Sequence, residues 1–479
     1  MQDISKMDKL YDDLLATLGA KGVVQGNDVK TYLTDLQGFH SGSAEIVVRP
    51  ASTEEVVATV KICAKHNVAI VPQAGNTGLC GGAVPAAGSG AVILSVSRMN
   101  QILNIDPQCY AITVEAGVIL QAVHDAANGV DRAFAMDWGA RGSAMVGGAI
   151  STNGGGLNVL RYGTARDQVL GLEVVLPDGK VWNGLRTLRK DASGYDLKQL
   201  FIGGEGTIGI ITKACLKLHP LQPIDQSMLG EVADFKRLNQ LFGLARDIGG
   251  DGLSAFELLP GEGVRRVPQV KPAISPPMES DAEWCILVRF SGRDAEQVES
   301  QLMAFFQQAL DRELLGNAII SQSIAQEENL WHLRDEIPAE NLYDGKAIKW
   351  DASVPIDQVT EFIEQAKHLV LTLRPQARFY AFGHIGDGNV HILVFPGGDG
   401  DGGEIDASDI DEICAELYAR MDQLIWSFGG SICAEHGVGT ENVERLTGQK
   451  SETELQMMRQ IKRLFDPDGR MNPGKLISM

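Results

Sequence analysis

The stretch Val71-Pro72-Gln73-Ala74-Gly75-Asn76-Thr77-Gly78-Leu79-Cys80-Gly81-Gly82 ends an apolar run and turns at once into a loop almost free of bulky side chains. Such a loop can present successive backbone N–H groups to a pyrophosphate, or it can be a set of ordinary turn glycines. It matches neither G-x-G-x-x-G nor G-x-x-x-x-G-K-S, so it carries neither of the common nucleotide fingerprints. Around it, short apolar runs at 45–50, 69–75, 91–96 and 111–117 alternate with a helical stretch at 53–67. That alternation is an α+β signal. Ser52-Thr53-Glu54-Glu55 reads as a helix start, with hydroxyls ahead of first-turn carboxylates and apolar residues following at Val56, Val57, Val60 and Ile62.

Two further glycine-dense segments follow. Gly142 to Gly156 carries so many glycines, each costing ~1 kcal/mol in a helix relative to alanine, that close backbone contact with a planar or phosphorylated ligand is a better account than a helix. Leu200 to Thr212 is a glycine turn running into a strand. In all, 54 of 479 residues are glycine, above the usual ~7%. The length predicts two or three domains.

A net charge of −20 opposes binding to phosphate backbones or anionic membranes, which excludes nucleic acid as a partner. An anionic small substrate then needs a local basic site. The seven cysteines form no CxxC pair, so a reducing compartment is expected: the cytoplasm, or a mitochondrial matrix if a targeting peptide has been removed. The first residues lack a signal-peptide pattern, and Leu10, Leu14, Leu15 and Leu18 sit at helical spacing. No run of 18 apolar residues occurs, so no transmembrane segment is expected.

The expected boundaries are 1–220, 221–430 and 431–479. The middle region has strand candidates at 285–290, 378–383 and 391–395, a Pro-rich loop at 267–280 and a surface loop at 397–404. The last has a short strand, a helix around 452–465 and a Pro/Gly-rich tail. Between the second and third of those middle strands lies His384-Ile385-Gly386-Asp387-Gly388-Asn389-Val390-His391. A hairpin with its tip at the Gly-Asp-Gly-Asn turn would put the two histidines on facing strands. Two histidines and a carboxylate, for which Glu435 is the candidate, form a common catalytic metal set. On its own such a pair is more often two unrelated histidines.

In this order the three glycine segments, continued by residues 161–181, resemble the FAD-binding domain of the vanillyl-alcohol oxidase and p-cresol methylhydroxylase (PCMH) superfamily over roughly residues 40–220. The resemblance implies a PCMH-type FAD-binding domain, then a substrate (cap) domain with an antiparallel sheet flanked by helices, and a small C-terminal segment returning to the flavin. Backbone around Gly75, Asn76, Thr77 and Gly78 would hold the pyrophosphate. Gly147, Gly148, Ser151 and Asn153 would line the flavin and phosphates, and Ile211 would lie near the adenine. Pro72, Gly81, Gly82, Gly206 and Asn472 complete the implied cofactor set. Covalent members often carry histidine where Asn76 stands, so the implied FAD is dissociable.

With HIGDGNxH and AEHGxG added, the chain resembles the D-2-hydroxy-acid dehydrogenase branch, which includes D-lactate and D-2-hydroxyglutarate dehydrogenases. The resemblance implies a divalent metal on His384, His391 and Glu435, with His436 as general base and hydride transfer from C2 to flavin N5. Two nitrogens and one carboxylate favour Zn2+, with Mn2+ or Co2+ able to substitute. Arg334 would bind a substrate carboxylate, and Lys349, typical of the hydroxyglutarate members, a second one. Pro338 and Leu393 stand where those members often have threonine and asparagine, which leaves D-malate or D-lactate open. An alkyl-dihydroxyacetone-phosphate-synthase-like transferase is the more distant alternative. The implied partners are a small anionic 2-hydroxy acid, an electron acceptor such as an electron-transfer flavoprotein, cytochrome or quinone, and a second copy in a homodimer.

Overall fold

Packing divides the chain into two compact units, one of Met1–Gly156, Tyr162–Leu221 and Glu435–Met479, the other of Leu157–Arg161 and Gln222–Ala434. The computed structural model describes residues 2–36, 38–339, 342–343, 346–396 and 407–479. The loop expected at 397–404 lies outside the described residues.

Besides a two-stranded pairing of Arg132–Ala133 with His219–Pro220, the first unit holds two sheets. The smaller orders its strands Val23–Gln25, Ile46–Val48, Val92–Ser95 and Ile70–Gln73, antiparallel in the first pair and parallel in the other two. Its two central strands are buried along their whole length, which is why they read as unbroken apolar runs. The helix Thr53–Lys65 starts where expected, with the Ser52 hydroxyl accepting the Glu55 N–H at 3.3 Å. The larger sheet is antiparallel throughout, in the order Ile102–Asp106, Ala111–Glu115, Ile210–Lys217, Val169–Val175 and Val181–Asn183. One apolar cluster joins both sheets to the amphipathic helix Gln2–Leu18.

Two expectations change here. Residues Val146–Ser151 are helical despite their glycines. The reason is a close approach: a Cβ on Gly147 would lie 2.8 Å from the Ala116 Cβ, and the Gly147 N–H donates to the Ala116 carbonyl at 2.7 Å. Packing thus overrides propensity. The tail after residue 430 contributes isolated bridges rather than a strand. Its helix, Glu452–Phe465, opens with a Ser451/Glu454 capping box. The buried Lys462 ammonium donates to the carbonyls of Thr207 and Met471, each at 2.7 Å, fastening the tail beside the glycine loops.

The second unit has a four-stranded antiparallel sheet in the order Leu253–Pro260, Trp284–Gly292, Ile224–Val232, Leu315–Ile320, and a three-stranded one in the order Ile348–Ser353, Asn389–Phe395, Arg378–Phe382. A bridge between Leu258 and Gly383 connects them. Strand alternation splits the core into two clusters. One cluster takes helices Leu238–Gly249, Ala295–Asp311 and Val359–Leu373. The other takes Gly261–Val270 and Ile324–Glu336. The Pro-rich segment expected as loop from 267 is therefore helical through Val270, with Pro268 inside it. Burial of Val264 and Val267 outweighs the hydrogen bond that the proline removes.

Candidate active site

A cleft in the first unit is lined by all three glycine segments together with Glu435 and His436. From Gly75 through Leu79, five consecutive backbone N–H groups donate to no acceptor among the described residues. Sheltered N–H groups are normally paired, so a run of bare ones bordering a cleft suits an anionic ligand such as a pyrophosphate. Asn76, Asn153, Glu205 and Asn472 all have φ between +44° and +53°, a conformation uncommon outside glycine and costly for glutamate. The Asn76 amide donates to the Thr34 carbonyl at 2.7 Å. The Asn472 amide donates to the carbonyls of Gly82 at 3.0 Å and Glu205 at 2.7 Å, while its buried Oδ1 has no partner among the described residues. These features fit a bound flavin nucleotide.

Glu205 is the unexpected member of this cleft. Its carboxylate accepts the N–H groups of Val438 at 2.7 Å and Gly439 at 2.8 Å, and so holds the turn just after His436. Burial raises its pKa against the opposing pull of those two donors. Burial likewise lowers the nearby Lys475 ammonium to about 8. His436 is partly exposed, its Nε2 3.5 Å from the Glu435 carboxylate.

The second unit gathers the other predicted residues. The strands Arg378–Phe382 and Asn389–Phe395 do form a hairpin, but His391 pairs with Phe382. His384 lies beyond the strand end, because Gly383 takes φ +126° and turns the chain there. The two imidazoles still meet, with ring centroids 5.7 Å apart. Register also places Lys349 opposite Leu393 and Asp351 opposite His391, so these four side chains share one sheet face. Asp351 accepts from the Asn389 amide at 2.9 Å and lies 3.7 Å from His391 Nδ1.

Behind His384 stands Glu257, 1% exposed, on the strand Leu253–Pro260. Its Oε1 meets His384 Nδ1 at 2.8 Å and its Oε2 accepts from Arg334 Nε at 2.9 Å. Burial would raise this carboxyl, yet the Arg334 guanidinium and the hydrogen bonds from His384 and Arg334 hold it well below the usual carboxylate range. Since an ionised carboxylate only accepts and a guanidinium only donates, Nδ1 carries the proton, and the Nε2 lone pair faces Arg334 Nη2 at 3.3 Å. An imidazole held through Nδ1 that presents Nε2 as an acceptor is a standard metal-ligand arrangement, so the donor chemistry fits a divalent ion.

Of the predicted flavin contacts, all but Gly81, Asn153 and Asn472 line the cleft. The Asn153 amide oxygen instead accepts from Thr164 Oγ1 at 3.0 Å and the Arg166 N–H at 2.9 Å. Arg334 and His384 come together, as do His384 and His391, while Glu435 and His436 stand together in the first unit. Sequence reasoning missed Glu205, Glu257 and Asp351. Glu257 carried a readable signal, a lone carboxylate inside the apolar strand Leu253–Pro260.

An α+β fold with a glycine-built cleft, bare N–H groups and a buried His/Arg/carboxylate cluster defines a flavin-binding oxidoreductase. The model of the FAD binding domain family matches residues 44–184, and that of the FAD linked oxidases' C-terminal domain matches 226–476. The chain belongs to the FAD-linked oxidases, in the branch of the D-2-hydroxyglutarate dehydrogenases. It is 36% identical to the mitochondrial D-2-hydroxyglutarate dehydrogenase of Bos taurus, over 91% of this chain and 77% of the relative. It is also 36% identical to the D-2-hydroxyglutarate dehydrogenase of Xanthomonas citri pv. viticola, over 94% and 92%. Substrate-bound p-cresol methylhydroxylase shares the fold, with a TM-score of 0.76 at 18% identity, covering 98% of this chain and 96% of that one.

Proposed function

We propose that the protein oxidises a D-2-hydroxy acid, with D-2-hydroxyglutarate the favoured substrate and D-malate next, to the corresponding 2-oxo acid, using dissociable FAD and a divalent metal. The observation that carries this reading is the Glu257 cluster, which holds a guanidinium and the acceptor nitrogen of an imidazole against each other. A 2-hydroxy acid offers a carboxylate to the first and a hydroxyl to a metal on the second. The names of the relatives supply the dicarboxylate.

In this reading Arg334 grips the C1 carboxylate through its Nη atoms, since Nε is committed to Glu257. Lys349, on the sheet face of His391, takes the distal carboxylate. His436, lining the flavin cleft, removes the hydroxyl proton at its imidazole. Flavin, when bound, accepts the C2 hydrogen as hydride at N5. A metal on His384, His391 and Glu435, with Zn2+ the favoured ion, would hold the hydroxyl and lower its pKa. Asn76, its amide turned to Thr34, has no group for a covalent flavin bond, which supports dissociable FAD. The buried thiols of Cys63, Cys80, Cys215 and Cys285, none of them in a disulfide, support a reducing compartment, cytoplasm or mitochondrial matrix. Among the described residues no helix is long and apolar enough to cross a membrane, and a diffusible protein or a quinone would take the electrons.

One observation favours a monocarboxylate such as D-lactate: the buried Leu393 directly opposite Lys349. Anaerobic mixing of the yellow protein with D- and L-2-hydroxyglutarate, malate and lactate separates these readings. The D-dicarboxylates should bleach the flavin fastest and the L-forms should not. A flavin that dithionite bleaches but no D-2-hydroxy acid does would refute the assignment.

A further inference from the structure

Glu257 touches both an expected metal ligand and the expected substrate arginine. An ordinary structural ion pair needs a single partner. Here the two carboxylate oxygens are divided, Oε1 to the His384 ring and Oε2 to Arg334 Nε. The third side of the triangle is the 3.3 Å contact between Arg334 Nη2 and His384 Nε2. Each of the three residues is at most 9% exposed, so solvent cannot replace a missing partner cheaply.

We propose that Glu257 is a positioning residue that sets the metal-binding histidine and the substrate-binding arginine at once, so that capture of the ion and capture of the C1 carboxylate depend on one buried side chain. The inference rests on the roles of His384 and Arg334 proposed above. Glu257 leaves Nδ1 as the donor, which commits the Nε2 lone pair outward. A single lone pair cannot serve both Arg334 Nη2 and a cation. An ion taken at Nε2 therefore releases Nη2, and the freed N–H belongs to a guanidinium whose plane Glu257 still fixes through Nε. The order that follows is metal first, carboxylate second.

Glutamine at 257 can accept from only one of the two partners, because its second terminal atom is a donor. In FAD-loaded, folded E257Q, competition with a chromophoric chelator should show Zn2+ affinity reduced by about 10- to 100-fold, the usual cost of losing such a hydrogen bond behind a ligand. KM for D-2-hydroxyglutarate should rise in the same variant, with bound FAD unchanged. E257D keeps the charge that Arg334 needs for folding and shortens the reach, so it should show both effects in milder form even if E257Q folds poorly. A lowered Tm with unchanged Zn2+ affinity and unchanged KM in the folded fraction overturns the inference and leaves Glu257 a purely structural ion-pair residue. The functional reading itself fails in a different place: a wild-type protein that binds no Zn2+ in the same competition removes His384 as a ligand before any variant is made.

Discussion

Glu205 and Glu257 are both buried, one in each unit, and the protein treats them in opposite ways. Among the described residues Glu205 receives two backbone N–H groups and no guanidinium or imidazole, and burial raises its pKa. Glu257 receives an arginine and a histidine, and its pKa falls well below the usual carboxylate range. The same contrast runs through the walls around them. The first unit meets its ligand with backbone, namely glycine loops, bare N–H groups and left-handed asparagines. In the proposed reading the second meets its ligand with charged side chains on strands and a helix end. A large, rigid nucleotide can be recognised by many weak dipoles along its length. A small acid offers few atoms, so each must meet a group held by a buried partner.

The largest effect should come from the residue that crosses this division. His436 lines the backbone-built cleft yet is assigned to the substrate's proton. His436→Ala should lower the rate of flavin reduction by ~10²-fold or more, with little change in substrate affinity and none in FAD content. Stopped-flow reduction under anaerobic conditions reads this directly, and an unchanged reductive half-reaction would make His436 part of the flavin wall only. A smaller effect sharpens the side-chain half of the contrast. A charge-assisted contact to a second carboxylate contributes about 1.5–3 kcal/mol, or roughly 10- to 150-fold. Lys349→Met should therefore lose about that factor in kcat/KM on D-2-hydroxyglutarate while D-lactate changes little. Equal losses on both acids would show that Lys349 supports the sheet face rather than selecting a dicarboxylate.

The legibility of the chain follows the same line. Strands buried on their length, such as Val92–Ser95 and Trp284–Gly292, and capped helices such as Thr53–Lys65 were readable because burial and capping leave local patterns. The helix Val146–Ser151 was not, because what favours it is a close approach to Ala116, far off in sequence. The glycine loops and the histidine pair announced themselves by spacing. Glu257 stood out only as a lone carboxylate in an apolar strand; its role did not, since its two partners arrive from residues 334 and 384, and no local pattern encodes a meeting of three distant side chains. The hairpin around His391 was readable, but its register was not, because the turn at Gly383 shifts His384 off the strand.

If flavin is held by backbone and the acid by a metal and charged side chains, the two should be separable in one tube. The most direct measurement is flavin reduction by D-2-hydroxyglutarate before and after removal of metal by a chelator, with FAD followed by its visible absorbance. The account predicts that the absorbance stays with the protein, that reduction by the substrate is lost, and that Zn2+ restores it. Full reduction by protein verified to be free of metal, or release of FAD along with the ion, would contradict it.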